Sequence, residues 1–215
     1  AVLMADNAGT HIDNYGTINA TTSQELMQAR GGASVTNFGT ITALPGENQA
    51  SDSKVAMIHS SGEGSNATNA AGGTISVVSV TTPQGSYGEA IYPLPWYSGV
   101  SFVLMADNYG QVINEANALI NLHGAGTYGV SSAKGTAINA GEINVDSFIP
   151  TLDENGDIAS EAYWQTNSPY LMGGGMLVGS TDAGWADATG LNTGTINVNN
   201  EGFGMLALNG GTAVN

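Results

Sequence analysis

A chain of 215 residues with 31 glycines, no cysteine and a net charge of −15 excludes several classes before any motif is read. Its three cations, Arg30, Lys54 and Lys134, cannot build the basic surface that nucleic acid requires, and an anionic bilayer would repel it. No stretch approaches the roughly 20 apolar residues of a membrane helix, so direct membrane insertion by this segment is not expected. Hydrophobic residues make up 41% of the chain, and the glycines follow no Gly-X-Y period. That combination suits one all-β domain built of strands and turns rather than a disordered chain.

In chain order, the first landmark is the hexapeptide Val2-Leu3-Met4-Ala5-Asp6-Asn7, which returns intact at Val103-Leu104-Met105-Ala106-Asp107-Asn108. The second is Asn14-Tyr15-Gly16-Thr17-Ile18. It returns as Asn37-Phe38-Gly39-Thr40-Ile41 and Asn192-Thr193-Gly194-Thr195-Ile196, more loosely as Asn139-Ala140-Gly141-Glu142-Ile143, and stretched by two residues from Asn69 to Ile75. A polar and then an apolar residue follow each isoleucine, so the motif ends in a strand with Ile and its second neighbour on one face. The glycine permits a tight turn with positive φ, and the asparagine bonds nearby backbone.

One such strand cannot bury its face alone, whereas stacked repeats bury a continuous core. The steps Ile18 to Ile41 and Ile120 to Ile143 are 23 residues each, enough for three short strands and three corners. The expected fold is therefore all-β: a right-handed, single-stranded parallel β-helix, or β-solenoid, with coils of about 23 residues. Residues 1–215 form one such domain, read as a fragment of a longer solenoid, with insertions at about 42–56, 76–102 and 144–174. In the fourth coil the motif aligns as Ala116-Asn117-Ala118-Leu119-Ile120, without a glycine, and its corner should be built differently. A methionine precedes each motif (Met4, Met27, Met57, Met105, Met176, Met205) and reads as a row of soft core fillers.

All six prolines fall in the insertions, where no ladder hydrogen bond is needed. Most of the large aromatics outside the repeats lie there too. Tyr92, Trp96, Tyr97, Tyr163, Trp164 and Tyr170 are the candidate binding residues, because exposed rings are costly unless they pack on each other or on a partner. The insertions 76–102 and 144–174 leave from coils two apart, about 10 Å, so these rings are expected to form one platform. Asp153-Glu154-Asn155-Gly156-Asp157 resembles half of a calcium loop, with Asp153, Asn155 and Asp157 as candidate Ca²⁺ ligands; an acidic turn is the alternative. His11, His59 and His123 share neither a repeat position nor a ligand spacing and read as surface residues. No other cofactor is implied.

The repeats Gly204-Met205-Leu206-Ala207 and Asn192-Thr193-Gly194-Thr195-Ile196-Asn197-Val198 resemble the passenger domains of Gram-negative autotransporters of the adhesin and self-aggregation class. The resemblance covers most of the chain outside the insertions. It implies an extracellular, cell-surface β-helix held by an outer-membrane barrel in a region not present in this chain. It also implies a role in adhesion, self-aggregation and biofilm, with a host or neighbouring-cell glycan or protein, or a second copy, as partner. Two rival readings remain: a self-assembling filament or surface-layer subunit, and a β-helix carbohydrate-active enzyme. A lyase needs a cationic base beside clustered carboxylates, and three scattered cations fit that poorly, so the expectation is a protein that is not an enzyme.

Overall fold

The alternation set by each Ile-polar-apolar run is realised in a computed structural model, which describes residues 2–20, 25–43, 55–78, 101–124, 126–147, 149–152, 158–162, 173–179, 187–200, 202–208 and 210–215. Coils 1 to 6 each contribute one strand to each of three parallel sheets, here A, B and C. Coil 1 holds β1 (Leu3–Asp6), β2 (His11–Asn14) and β3 (Thr17–Ala20). Coil 2 holds β4 (Met27–Arg30), β5 (Ser34–Asn37) and β6 (Thr40–Ala43). Coil 3 holds β7 (Val55–Ser61), β8 (Asn66–Asn69) and β9 (Thr74–Val78). Coil 4 holds β10 (Ser101–Asp107), β11 (Gly110–Asn114) and β12 (Leu119–His123). Coil 5 holds β13 (Thr127–Ser132), β14 (Gly135–Asn139) and β15 (Glu142–Asp146). An antiparallel pair, β16 (Ile149–Leu152) and β17 (Ile158–Ala162), follows inside the third insertion and involves no motif strand. Coil 6 holds β18 (Gly174–Val178), β19 (Thr189–Asn192) and β20 (Thr195–Asn199). Coil 7 adds β21 (Phe203–Ala207) and β22 (Thr212–Val214). Among the described residues there is no helix. The chain is a parallel β-helix, as the repeats predict.

Register puts like on like. Ile18, Ile41, Ile75, Ile120, Ile143 and Ile196 pair in sequence along sheet C, and the four central ones are wholly buried. Each fully buried isoleucine contributes about 1.5–3 kcal/mol. Beside them the corner asparagines form an internal amide ladder. Each Nδ2 donates to the Oδ1 one coil on, from Asn14 through Asn37, Asn69, Asn114, Asn139 and Asn192 to Asn215, at 2.6–2.9 Å. The ladder lets a polar residue recur at a buried position without leaving its amide unsatisfied.

The structure corrects four expectations. The motif glycines Gly16, Gly39, Gly141 and Gly194 do not adopt positive φ. Gly39 is glycine because a Cβ there would overlap the Gly16 carbonyl oxygen, and Gly194 stands in the same relation to Gly141. The cause is the ladder itself: the Gly16 carbonyl accepts the Thr40 N–H at 2.9 Å and so lies across the next corner.

In coil 4 the aligned stretch puts Ala116 at the asparagine's place, but the ladder is joined by Asn114. That corner is stretched by two residues like the one above it, and Asn117 (φ 66°) takes the left-handed role of Gly72 (φ 86°).

The methionines do not form one row. Met27, Met176 and Met205 share an inward column with Leu3, Ile58, Leu104 and Val130, while Met57 lies one position earlier. Met4 and Met105, inside the repeated hexapeptide, are shifted by one residue and so face outward. Met4 is exposed. Met105 is buried in a second apolar cluster with Ala56, Phe102, Tyr128, Ala133 and Leu177 on the outer side of sheet A. The Phe102 and Tyr128 rings stack there at 6.0 Å.

His59, expected at the surface, is only 7% exposed.

Candidate functional site

At the corner between sheets B and C the second residue of each motif points away from the core, because its neighbour Asn must turn inward to join the ladder. In coils 1 and 2 that residue is aromatic. Tyr15 and Phe38 stack with ring centroids 4.8 Å apart and planes 4° from parallel, the separation set by one coil step. They remain 73% and 40% exposed. An exposed stacked pair contributes little to the core and presents a flat apolar surface of the kind used at contacts. Below it the same position holds Ala70, which is buried, then Glu115, Ala140 and Thr193, so among the described residues the aromatic pair spans coils 1 and 2.

A second constellation sits on the outer side of sheet A. His59 Nδ1 lies 2.6 Å from Glu25 Oε1, and Nε2 lies 3.2 Å from Asp107 Oδ2, the latter within ion-pair reach but poorly aligned for a hydrogen bond. The three residues come from coils 2, 3 and 4, so the imidazole pins successive coils together. Burial pulls the His59 pKa down, but the two flanking carboxylates outweigh it and hold the pKa at about 9. Among the described residues no group of three or more His, Asp or Glu is arranged to hold a metal ion. Here the reason is geometric: the two carboxylates face opposite edges of one ring.

A raised folded-state pKa means that the stabilisation is complete below about pH 6.5 and is lost as pH climbs through about 9. Unfolding free energy should therefore fall by up to a few kcal/mol between pH 6.5 and pH 10. Urea titrations at pH 6, 8 and 10 check this. The His59→Gln variant should start lower and stay flat, and a flat wild-type profile would contradict the clamp.

The binding residues predicted from sequence, Tyr92, Trp96, Tyr97, Tyr163, Trp164 and Tyr170, lie outside the described residues. So do the candidate calcium ligands Asp153, Asn155 and Asp157. The pair Tyr15–Phe38 was missed because both rings fall inside the repeat, where they read as variable motif positions. The available signal was an aromatic at the same motif position in two copies spaced by one bare coil.

Comparison with known proteins places these features in a family. The profile of the BigA third pectate lyase-like domain matches residues 1–215. A relative, "Putative surface-exposed virulence protein BigA" of Salmonella typhimurium, is 48% identical over 215 residues, which is all of this chain and 11% of that protein. No solved structure gives a significant match. The chain thus spans about a tenth of the curated relative it matches, and it belongs to the BigA third pectate lyase-like domain family.

Proposed function

We propose that this chain is a surface-exposed adhesion module: a non-catalytic β-helical rod segment that presents contact residues for cell adhesion or self-aggregation in biofilms. The observation that carries the reading is the exposed Tyr15–Phe38 stack, an apolar platform displayed on a corner that a stacked core and an amide ladder hold rigid. The relative's name, with its surface exposure and virulence, supports an extracellular setting. Anchoring would come from a region outside this chain, as in autotransporter passengers. The partner would be a host or neighbouring-cell glycan or protein, or a second copy. The family's lyase-like name speaks for the β-helix rather than for turnover. The described cations Arg30 and Lys134 stand three coils apart, roughly 14 Å, too far to act together as a catalytic base and its partner.

The test is a Tyr15→Ser/Phe38→Ser double variant in the full-length surface protein. Adherence to host cells or settling of the bacteria should drop about ten-fold, with surface display unchanged. Undiminished adherence and settling would reject the platform. Turnover of any polysaccharide that survives repurification of the protein would reject the non-catalytic reading.

A further inference from the structure

The corner between sheets A and B carries a residue that its backbone does not favour. Two positions before the paired B-strand residues His11, Ser34, Asn66 and Gln111 the chain turns left-handed, as it does at Asp187 (φ 77°) in coil 6 but not at Lys134 in coil 5, and the first three coils use glycine there: Gly9 (φ 83°), Gly32 (φ 86°) and Gly64 (φ 78°). In coil 4 the same position is Tyr109 (φ 69°), preceded by Asn108 (φ 47°). A bulky residue at positive φ is a genuine outlier, and such strain concentrates at functional sites. Burial does not explain the tyrosine, since its side chain is among the most exposed apolar ones, at 56%. In coil 5 the equivalent residue is Lys134, whose Nζ lies 4.8 Å from the Tyr109 ring centroid. Its carbonyl accepts the Tyr109 N–H at 2.6 Å.

We propose that Tyr109 is the stacking platform of a binding site for a neutral saccharide. Lys134 comes from the coil on the C-terminal side and holds one face of the ring. The opposite face turns toward coils 3 and 2, where Gly64 and Gly32 carry no side chain. This leaves a shelf about two coils, or 10 Å, deep, which accommodates one or two pyranose rings. It is far smaller than the roughly 800 Å² per partner of a stable protein interface. The exposed Glu63 at its edge and Asn108 beside the ring supply oxygens that accept hydrogen bonds from hydroxyls. Lys134 and Glu63 balance locally, and the net charge of −15 opposes an anionic ligand, which together fit a neutral sugar whose C–H face stacks on the ring. This site lies on a different corner from Tyr15 and Phe38 and stands or falls independently of the adhesion reading.

Tyr109→Gly is the decisive variant, because glycine suits the φ that tyrosine tolerates poorly, and its melting temperature should match or exceed that of the parent chain. Binding of the 215-residue chain to immobilised maltohexaose, cellohexaose and mannohexaose, with acidic oligosaccharides alongside, supplies the readout. At least one neutral series should bind. Tyr109→Gly should weaken it ten-fold or more, while Val214→Ser, a change at an exposed apolar residue of coil 7, leaves it unchanged. The inference is overturned by binding of no neutral series, by binding of acidic ones only, by equal affinity in Tyr109→Gly, or by a melting temperature that falls in that variant.

Discussion

Gly39→Ala should destabilise the fold by about 3 kcal/mol, whereas the chemically identical Gly16→Ala should be neutral or slightly stabilising. Both glycines occupy the same motif position, and neither has positive φ. The difference lies in what the previous coil places above them. A Cβ on Gly39 would overlap the carbonyl of Gly16, which cannot retreat without breaking its hydrogen bond to the Thr40 N–H. A Cβ on Gly16 would meet nothing nearer than Asn14 Oδ1 at 3.9 Å. Urea denaturation of both variants of the 215-residue chain, followed by circular dichroism, measures the contrast. Equal effects would mean that the corner glycines serve backbone freedom after all.

For Asn114→Ala the expected loss is about 2–4 kcal/mol, large for a change that removes no apolar surface. Asn114 accepts from Asn69 Nδ2 at 2.9 Å and donates to Asn139 Oδ1 at 2.8 Å, with all three side chains buried. Truncation leaves the Asn139 oxygen without its donor and strips the Asn69 amide down to two long backbone contacts of 3.3 Å. Asn14→Ala offers the internal comparison. It lies at the first described rung and donates to only one ladder neighbour, Asn37, so it should cost clearly less. Thermal unfolding of the two variants side by side tests this. A loss at Asn14 as large as at Asn114 would show that the rungs act through their own corner, by bonds such as Asn14 Nδ2 to the Gly16 carbonyl, and not through the stack.

Much of the architecture was legible in the residues because a solenoid writes its three-dimensional period directly into the chain. Ile18, Ile41, Ile75, Ile120, Ile143 and Ile196 pair in the order the repeat implies, and the two hexapeptides sit at equivalent places, with Leu3 and Leu104 in one column and Met4 and Met105 in the next. The loss of motif in coil 4 hid which residue joins the ladder, because the bare spacing of four residues before Ile120 falls on Ala116, while Asn114, six before, fits only the stretched form seen from Asn69 to Ile75. A candidate platform could be read only where aromatics stood out from the repeat. The Tyr15–Phe38 stack, inside the repeat, needed the coil step to bring two rings 23 residues apart face to face.

The residues alone determined the strand period, the coil length and the polar and apolar columns, since these follow from local alternation and from like stacking on like. Only the tertiary structure decided what depends on which atoms of one coil lie over the next. It explained the corner glycines by a carbonyl above them, buried His59 between carboxylates from the coils on either side, and set Tyr109 in a column of left-handed glycines with Lys134 against its ring. Those contacts join residues tens of positions apart through the offset between neighbouring coils, and insertions of unequal length erase that offset from the linear chain.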